Sequence, residues 1–152
     1  MGKYYLAIDQ GTTGSTALLV NAQDLKLVDK INQEYPQIYP SPGLVEHDLG
    51  DIWQSVSDVI KKVISKNNVD PGQIRAIGIT NQRETICAFT KSGESLHNAI
   101  VWQDRRTADF CDQLKEKGLE DQVKQVTGLT LDPYFSEGKV LPFLMVVLSL
   151  TR

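Results

Sequence analysis

Residues 4–20 read YYLAIDQGTTGSTALLV, two apolar runs joined by a turn rich in glycine and threonine. Tyr4 to Ile8 is short and apolar enough for a buried strand, and the DQG that follows marks a tight turn. Thr16 to Val20 reads as a second strand and Leu25 to about Glu34 as a third. Consecutive strands with such short connections predict a β-meander opening.

Further along, the chain changes character. Tyr39 to Gly43 (YPSPG) is a loop, because two prolines and a glycine exclude regular structure. From Asp51, the residues Ile52, Val56, Val59, Ile60, Val63 and Ile64 recur at helical spacing, with Asp48 or Gly50 as the cap region. Asp70-Pro71-Gly72 closes that helix's connection. Ile74 to Ile79 and Thr85 to Phe89 read as strands, the first buried, with a turn at Lys91 to Gly93. A short strand follows at Ile100 to Trp102. Thr107 to Lys117 reads as a helix with Ala108, Cys111 and Leu114 on one face and Gly118 at its stop. A short helix covers Glu120 to Thr127. A meander followed by helix–strand units predicts an α/β fold: a mixed sheet with flanking helices.

Composition narrows the function classes. Of 152 residues, 41% are hydrophobic and 23% charged, ordinary values for a globular domain. The net charge of −3 speaks against nucleic acid as a partner, since a phosphate-backbone surface carries a basic excess. Cys87 and Cys111 have no metal-ligand spacing and form no disulfide framework. They read as one buried thiol in a strand and one on a helix, which suits a reducing cytoplasm. No secretory signal follows Met1. The apolar run Val140 to Leu150 is too short for a bilayer, which takes about 20 residues, so no membrane is expected.

Four segments carry chemistry. In DQGTTGST (Asp9 to Thr16), Gly11 and Gly14 allow a sharp turn that brings backbone N–H groups close to a ligand. Thr12, Thr13, Ser15 and Thr16 add hydroxyls suited to phosphate oxygens. Asp9, at a strand end, can hold Mg²⁺ directly or through water. No lysine follows the glycines, so this is not the common nucleotide-binding P-loop.

In NQRE (Asn81 to Glu84), Arg83 offers donors in a fixed fork and Glu84 two acceptor oxygens, a pairing that holds the vicinal hydroxyls of a neutral polyol. Taken alone it also fits a solvated surface ion pair. In VWQDRR (Val101 to Arg106), the Trp102 indole can pack on a substrate's carbon skeleton or simply in the core, and Asp104 reads as an N-cap. In DPYFS (Asp132 to Ser136), the Tyr134 hydroxyl can reach a substrate oxygen.

Together DQGTTGS, QIYPSPGLVEHD, IGITNQRET, NAIVWQDRRTA, GLEDQV and TGLTLDPYFS resemble, in order and spacing, the glycerol kinases of the FGGY carbohydrate kinase family. The resemblance runs from about Tyr5 to Ser136. Its strand–DxGTT–strand start is similar to the first phosphate loop of the actin, Hsp70 and sugar kinase superfamily.

The resemblance implies a ribonuclease H-like, actin-like ATPase domain, with the active site in a cleft against a second domain. It implies ATP-dependent phosphorylation of glycerol to sn-glycerol 3-phosphate, and a homo-oligomer. It further implies that Arg83, Glu84, Trp102 and Tyr134 line a glycerol pocket. Thr12, Thr13 and Ser15 would approach the ATP phosphates, and Asp9 would lie near Mg²⁺. The catalytic base is implied to lie beyond these residues, so the chain alone is expected to be an inactive fragment. GLVEHD (Gly43 to Asp48) is a family marker without assigned chemistry, and His47 reads as structural.

Two departures stand out. Thr16 occupies a position where the family often has Arg or Lys. After Ser136 the chain reads EGKVLPFLMVVLSLTR, without the family's Thr-Lys helix start and Trp-containing amphipathic helix. Residues 1–136 are therefore expected to form a partial domain, and residues 137–152 an aberrant, frameshifted tail.

Overall fold

A computed structural model describes residues 2–140. They form two compact units: residues 2–36 with 48–82, and residues 37–47 with 83–140. Residues 141–152, most of the expected tail, lie outside the described residues.

In the first unit, β1 (Tyr4–Gln10), β2 (Gly14–Asn21), β3 (Leu27–Glu34) and β5 (Ile74–Asn81) form one sheet in the order β3-β2-β1-β5. β1 is antiparallel to β2 and parallel to β5, and β2 is antiparallel to β3, so the sheet is mixed, as expected. Alternating residues of β1 and β2 point to one face. Leu6, Ile8, Ala17 and Leu19 are buried there against Val59 and Val63 of α1 (Leu49–Lys66). Asp48 caps α1, its Oδ1 accepting the N–H groups of Gly50 and Asp51 at 2.6 and 3.1 Å.

β5 corrects an expectation. Its apolar sequence predicts burial, yet Ile77 and Ile79 are 57% and 72% exposed. It pairs only with β1, at the sheet edge, and the buried cluster under α1 is drawn from β1 and β2.

In the second unit, β4 (Glu46–His47) pairs antiparallel with β6 (Ala99–Ile100). Single bridges add Ile38 to Glu46 and Ile86 to Ile100. The strand expected at Thr85 to Phe89 is thus reduced to isolated bridges, and Cys87 within it is exposed rather than buried. α2 (Ala108–Glu116) buries Cys111, and α3 (Glu120–Thr127) ends at Gly128 with φ of 77°. Residues 136–140 are helical and Lys139 is fully buried, so the boundary expected at Ser136 falls at the start of a helical turn.

Candidate functional site

The first set of candidate residues surrounds the β1–β2 hairpin. Because β2 begins at Gly14, the loop is only Gly11 to Thr13, closed by a hydrogen bond from the Gly11 N–H to the Gly14 carbonyl at 2.9 Å. Neither glycine has a positive φ; close approach bears on both instead, most severely at Gly14. A Cβ on Gly14 would lie 2.6 Å from the Gln33 carbonyl oxygen, and one on Gly11 would lie 3.1 Å from the Gly14 carbonyl.

Asp9 is exposed at the end of β1, and Thr12 and Thr13 lie at the tip. Ser15 behaves differently from the expectation of a hydroxyl offered to phosphate. It is fully buried, and its Oγ shares a 2.8 Å hydrogen bond with Ser55 Oγ. Ser55 already donates to the Ile52 carbonyl, so Ser15 is the donor, and its side chain ties the loop to α1. Alternation along β2 places it there: Ser15, Ala17 and Leu19 share the buried face. Thr16, on the other face, has its hydroxyl against Asn32 Nδ2 at 2.9 Å.

Behind the loop stands a polar brace that the sequence did not disclose. The Tyr35 hydroxyl donates to the Gly11 carbonyl, and Gln10 Nε2 donates to the same carbonyl at 2.8 Å and to the Tyr35 oxygen at 2.9 Å. Gln82 Nε2 adds a contact to the Tyr35 oxygen at 3.3 Å. Burial raises the Tyr35 pKa, so the phenol stays protonated and keeps its donor.

The exposed Asp9 carboxylate and the loop hydroxyls have the chemistry that a hydrated Mg²⁺ and phosphate oxygens would take. Mg²⁺ retains several waters and is held by one or two carboxylates plus phosphate oxygens. Asp9 supplies one exposed carboxylate, and among the described residues no group of three or more His, Cys, Asp or Glu forms a fuller metal cage.

The second set lies in the other unit. Trp102 and Tyr134 meet edge to face, their ring centroids 5.6 Å apart and their planes at 64°. With Gln103, Asp104, Arg105 and Asp132 they line an open cavity of about 250 Å³. Arg83 is exposed. Glu84 has a left-handed backbone, φ 62°, uncommon for a residue with a Cβ and frequent at functional sites. Its Oε2 accepts the Ser136 hydroxyl at 2.7 Å and the Ser136 N–H at 2.8 Å. The Ser136 hydroxyl, then its N–H, hold the Glu84 carboxyl below the usual range, keeping it ionised at neutral pH. Arg83 and Glu84 are not among the cavity's lining residues; Glu84 is tied to the Tyr134 segment through Ser136.

Asp104 is not the N-cap expected of it. Thr107 holds that place, without a side-chain cap bond. Asp104 is buried, and its carboxylate accepts from the Val45 N–H at 2.8 Å and from Arg106 N–H and Nε at 2.9 and 2.8 Å. Arg106 also binds Glu46 at 2.7 Å, and Asn98 donates to the same carboxylate at 3.1 Å. Burial pushes the Asp104 pKa up, but the hydrogen bonds from Arg106 and Val45 outweigh it, and the net shift is downward. Glu46, Asp104 and Arg106 thus form a structural ion-pair cluster, of which Asp104 also lines the cavity. His47 is structural as expected: it is buried, its Nε2 lies 2.7 Å from Gln37 Oε1, and burial lowers its pKa.

Residues 4–144 match the N-terminal domain of the FGGY family of carbohydrate kinases. The chain is 51% identical over 141 residues to a glycerol kinase of Petrotoga mobilis, covering 92% of this chain and 28% of that protein. It is 51% identical over 139 residues to a glycerol kinase of Salmonella arizonae, covering 91% and 28%. Among solved structures, glycerol kinase of Plasmodium falciparum with ADP superposes with a TM-score of 0.86 at 29% identity, over 93% of this chain and 28% of that one. Xylulose kinase of Lactobacillus acidophilus gives 0.83 at 28% identity, over 91% and 27%. The chain therefore spans about 28% of the length of the curated relatives it matches.

Proposed function

The chain belongs to the FGGY family of carbohydrate kinases, and on that premise we propose that it is the phosphate-loop and polyol-binding portion of a glycerol kinase. The reaction is transfer of the γ-phosphoryl group of ATP to a terminal hydroxyl of glycerol, giving sn-glycerol 3-phosphate. It belongs to the full length that the relatives have, of which this chain matches 28%.

The carrying observation is the joining of three distant segments in one unit: Trp102 against Tyr134, and Glu84 held by Ser136. Phosphoryl transfer needs positioning and electrostatic stabilisation more than covalent chemistry from the protein. In this reading Glu84, kept ionised by Ser136, accepts hydrogen bonds from glycerol hydroxyls through its remaining lone pairs, since a carboxylate has about four acceptor sites. Arg83 donates to the same hydroxyls. The Trp102 and Tyr134 rings cover the carbon skeleton. Thr12, Thr13 and the backbone N–H groups of the Gly11 to Thr13 loop bind ATP phosphates, with Ser15 and Tyr35 bracing the loop. Mg²⁺, held beside Asp9, would offset phosphate charge. With ATP as co-substrate and two free thiols, the cytoplasm is the compartment we assign.

A second reading within the family, a kinase for a longer polyol or sugar acid, draws on the xylulose kinase and gluconate kinase folds at 28% and 27% identity. One experiment separates the two. Residues 1–140 are fused to the remainder of the Petrotoga mobilis relative, and the chimera is assayed with glycerol, xylulose and gluconate. Preference for glycerol supports the proposal; preference for either alternative overturns it.

A further inference from the structure

Lys139 is the most unusual charged residue among those described. It is fully buried, and its Nζ donates to the carbonyl oxygens of Tyr134 at 2.9 Å, Trp102 at 3.2 Å and Glu84 at 3.4 Å. An ammonium carries three donors, and here each has one carbonyl. Those carbonyls belong to three of the residues assigned to the polyol pocket, on segments that the chain separates by 55, 37 and 5 residues from the lysine. A buried ammonium costs several kcal/mol unless its donors are satisfied. Its placement at this junction therefore calls for a gain elsewhere.

We infer that Lys139 is the positioning residue of the pocket, clamping the Glu84, Trp102 and Tyr134 backbones in one register so that their side chains converge. This inference rests on the polyol reading for its ligand, but not for its geometry. The carbonyl contacts fix main chain, so Lys139 itself touches no substrate.

The charge state matters to the clamp. Burial lowers the Lys139 pKa to about 8, while Asp104, Glu84 and Asp132 draw it upward and Arg106 presses it down. A neutral amine keeps two donors, so one carbonyl loses its partner on deprotonation. The segments should loosen as pH rises through about 8.

The test uses the full 152-residue chain with Trp53→Phe, which removes the exposed indole of α1 and leaves Trp102 as the single tryptophan. Lys139→Met preserves the apolar stem and removes the donors. The parent should show a Trp102 near-ultraviolet circular dichroism band that titrates with a midpoint of about 8, matched by one lysine ¹³Cε resonance titrating at the same pH. Lys139→Met should keep its far-ultraviolet spectrum, lose that titration, and bind glycerol about tenfold more weakly by Trp102 emission.

An unchanged Trp102 band and titration in Lys139→Met overturns the inference, as does unaltered glycerol affinity. If Lys139→Met fails to fold, the parent decides: coincident Trp102 and lysine midpoints support the clamp, and separate midpoints overturn it. If the parent's Trp102 responds to Lys139 but not to glycerol, the clamp stands and the glycerol reading falls.

Discussion

The Glu84 carboxylate and Ser136 are 52 residues apart in sequence, yet one oxygen of Glu84 accepts both the hydroxyl and the backbone N–H of Ser136, at 2.7 and 2.8 Å. This double contact holds a side chain whose own backbone is left-handed, and it anchors the start of the last described helical turn. An exposed ion pair between Arg83 and Glu84 would need no such support.

Ser136→Ala removes the shorter of the two bonds. A hydrogen bond to a charged group contributes about 1.5–3 kcal/mol when desolvated and less where water competes, so a loss of about 1 kcal/mol is expected. The Glu84 pKa should rise toward the ordinary carboxylate range, since the lost hydroxyl is the largest cause of its depression. Urea denaturation and a carboxyl-carbon NMR titration measure the two effects; an unmoved Glu84 titration would contradict the geometry.

Arg83→Ala and Glu84→Ala, each placed in the chimera, should lower kcat/KM for glycerol about tenfold to a hundredfold, the cost of about 1–3 kcal/mol per unpaired hydrogen bond. The KM for ATP should change far less, because the phosphate loop lies in the other unit. Parental glycerol kinetics in both variants would remove these residues from the pocket.

Tyr35→Phe deletes the donor to the Gly11 carbonyl and the acceptor for Gln10 and Gln82. Loss of about 1 kcal/mol of support should weaken ATP affinity of the chimera about fivefold and leave the glycerol KM in place. Isothermal titration with a non-hydrolysable ATP analogue reads the first, steady-state kinetics the second. A change confined to glycerol would refute the assignment of Tyr35 to the loop.

Gly14→Ala sets a methyl group 2.6 Å from the Gln33 carbonyl oxygen, a backbone atom that moves only with β3. Overpacking of this kind costs about 1–3 kcal/mol. Gly11→Ala, at 3.1 Å from its nearest neighbour, should cost less. Chemical denaturation of the two variants side by side tests the order, and a more stable Gly14→Ala would disprove it.

Acid should loosen the second unit through Asp104. Its folded pKa lies below its unfolded value, so its stabilisation is complete above about pH 4 and is lost as pH falls through the folded value. The Trp102 near-ultraviolet signal should therefore decline only below about pH 4. Asp104→Asn should abolish that acid step and destabilise the unit already at pH 7, by about 3–5 kcal/mol, because Arg106 loses a buried partner. An unshifted acid profile in Asp104→Asn would place the step elsewhere.

Features that depend on neighbouring residues were legible in the sequence. The β1–β2 hairpin and its loop follow from an apolar run, a Gly-Thr turn and a second apolar run. α1 follows from a 3.6-residue stripe behind a cap region at Asp48 or Gly50, of which the structure uses Asp48, and α3 spans the residues its pattern predicts, Glu120–Thr127. These signals act within one or two turns of chain, so no distant contact is needed to read them. Motifs at fixed order and spacing likewise sufficed for the family.

Where side chains end depends on packing between segments far apart in the chain. Ser15 faces Ser55 because α1 lies under that face of β2. Asp104 serves Arg106 and Val45 instead of a helix end, and β5 stays exposed because α1 packs on β1, β2 and β3 rather than over it. Lys139 shows the limit best: in sequence it merely precedes the apolar run that starts at Val140, yet it is buried because two carbonyls from remote segments and one from five residues back meet it. A buried charge is tolerated only where the fold supplies its partners, and partners 55 and 37 residues away leave no local pattern to read.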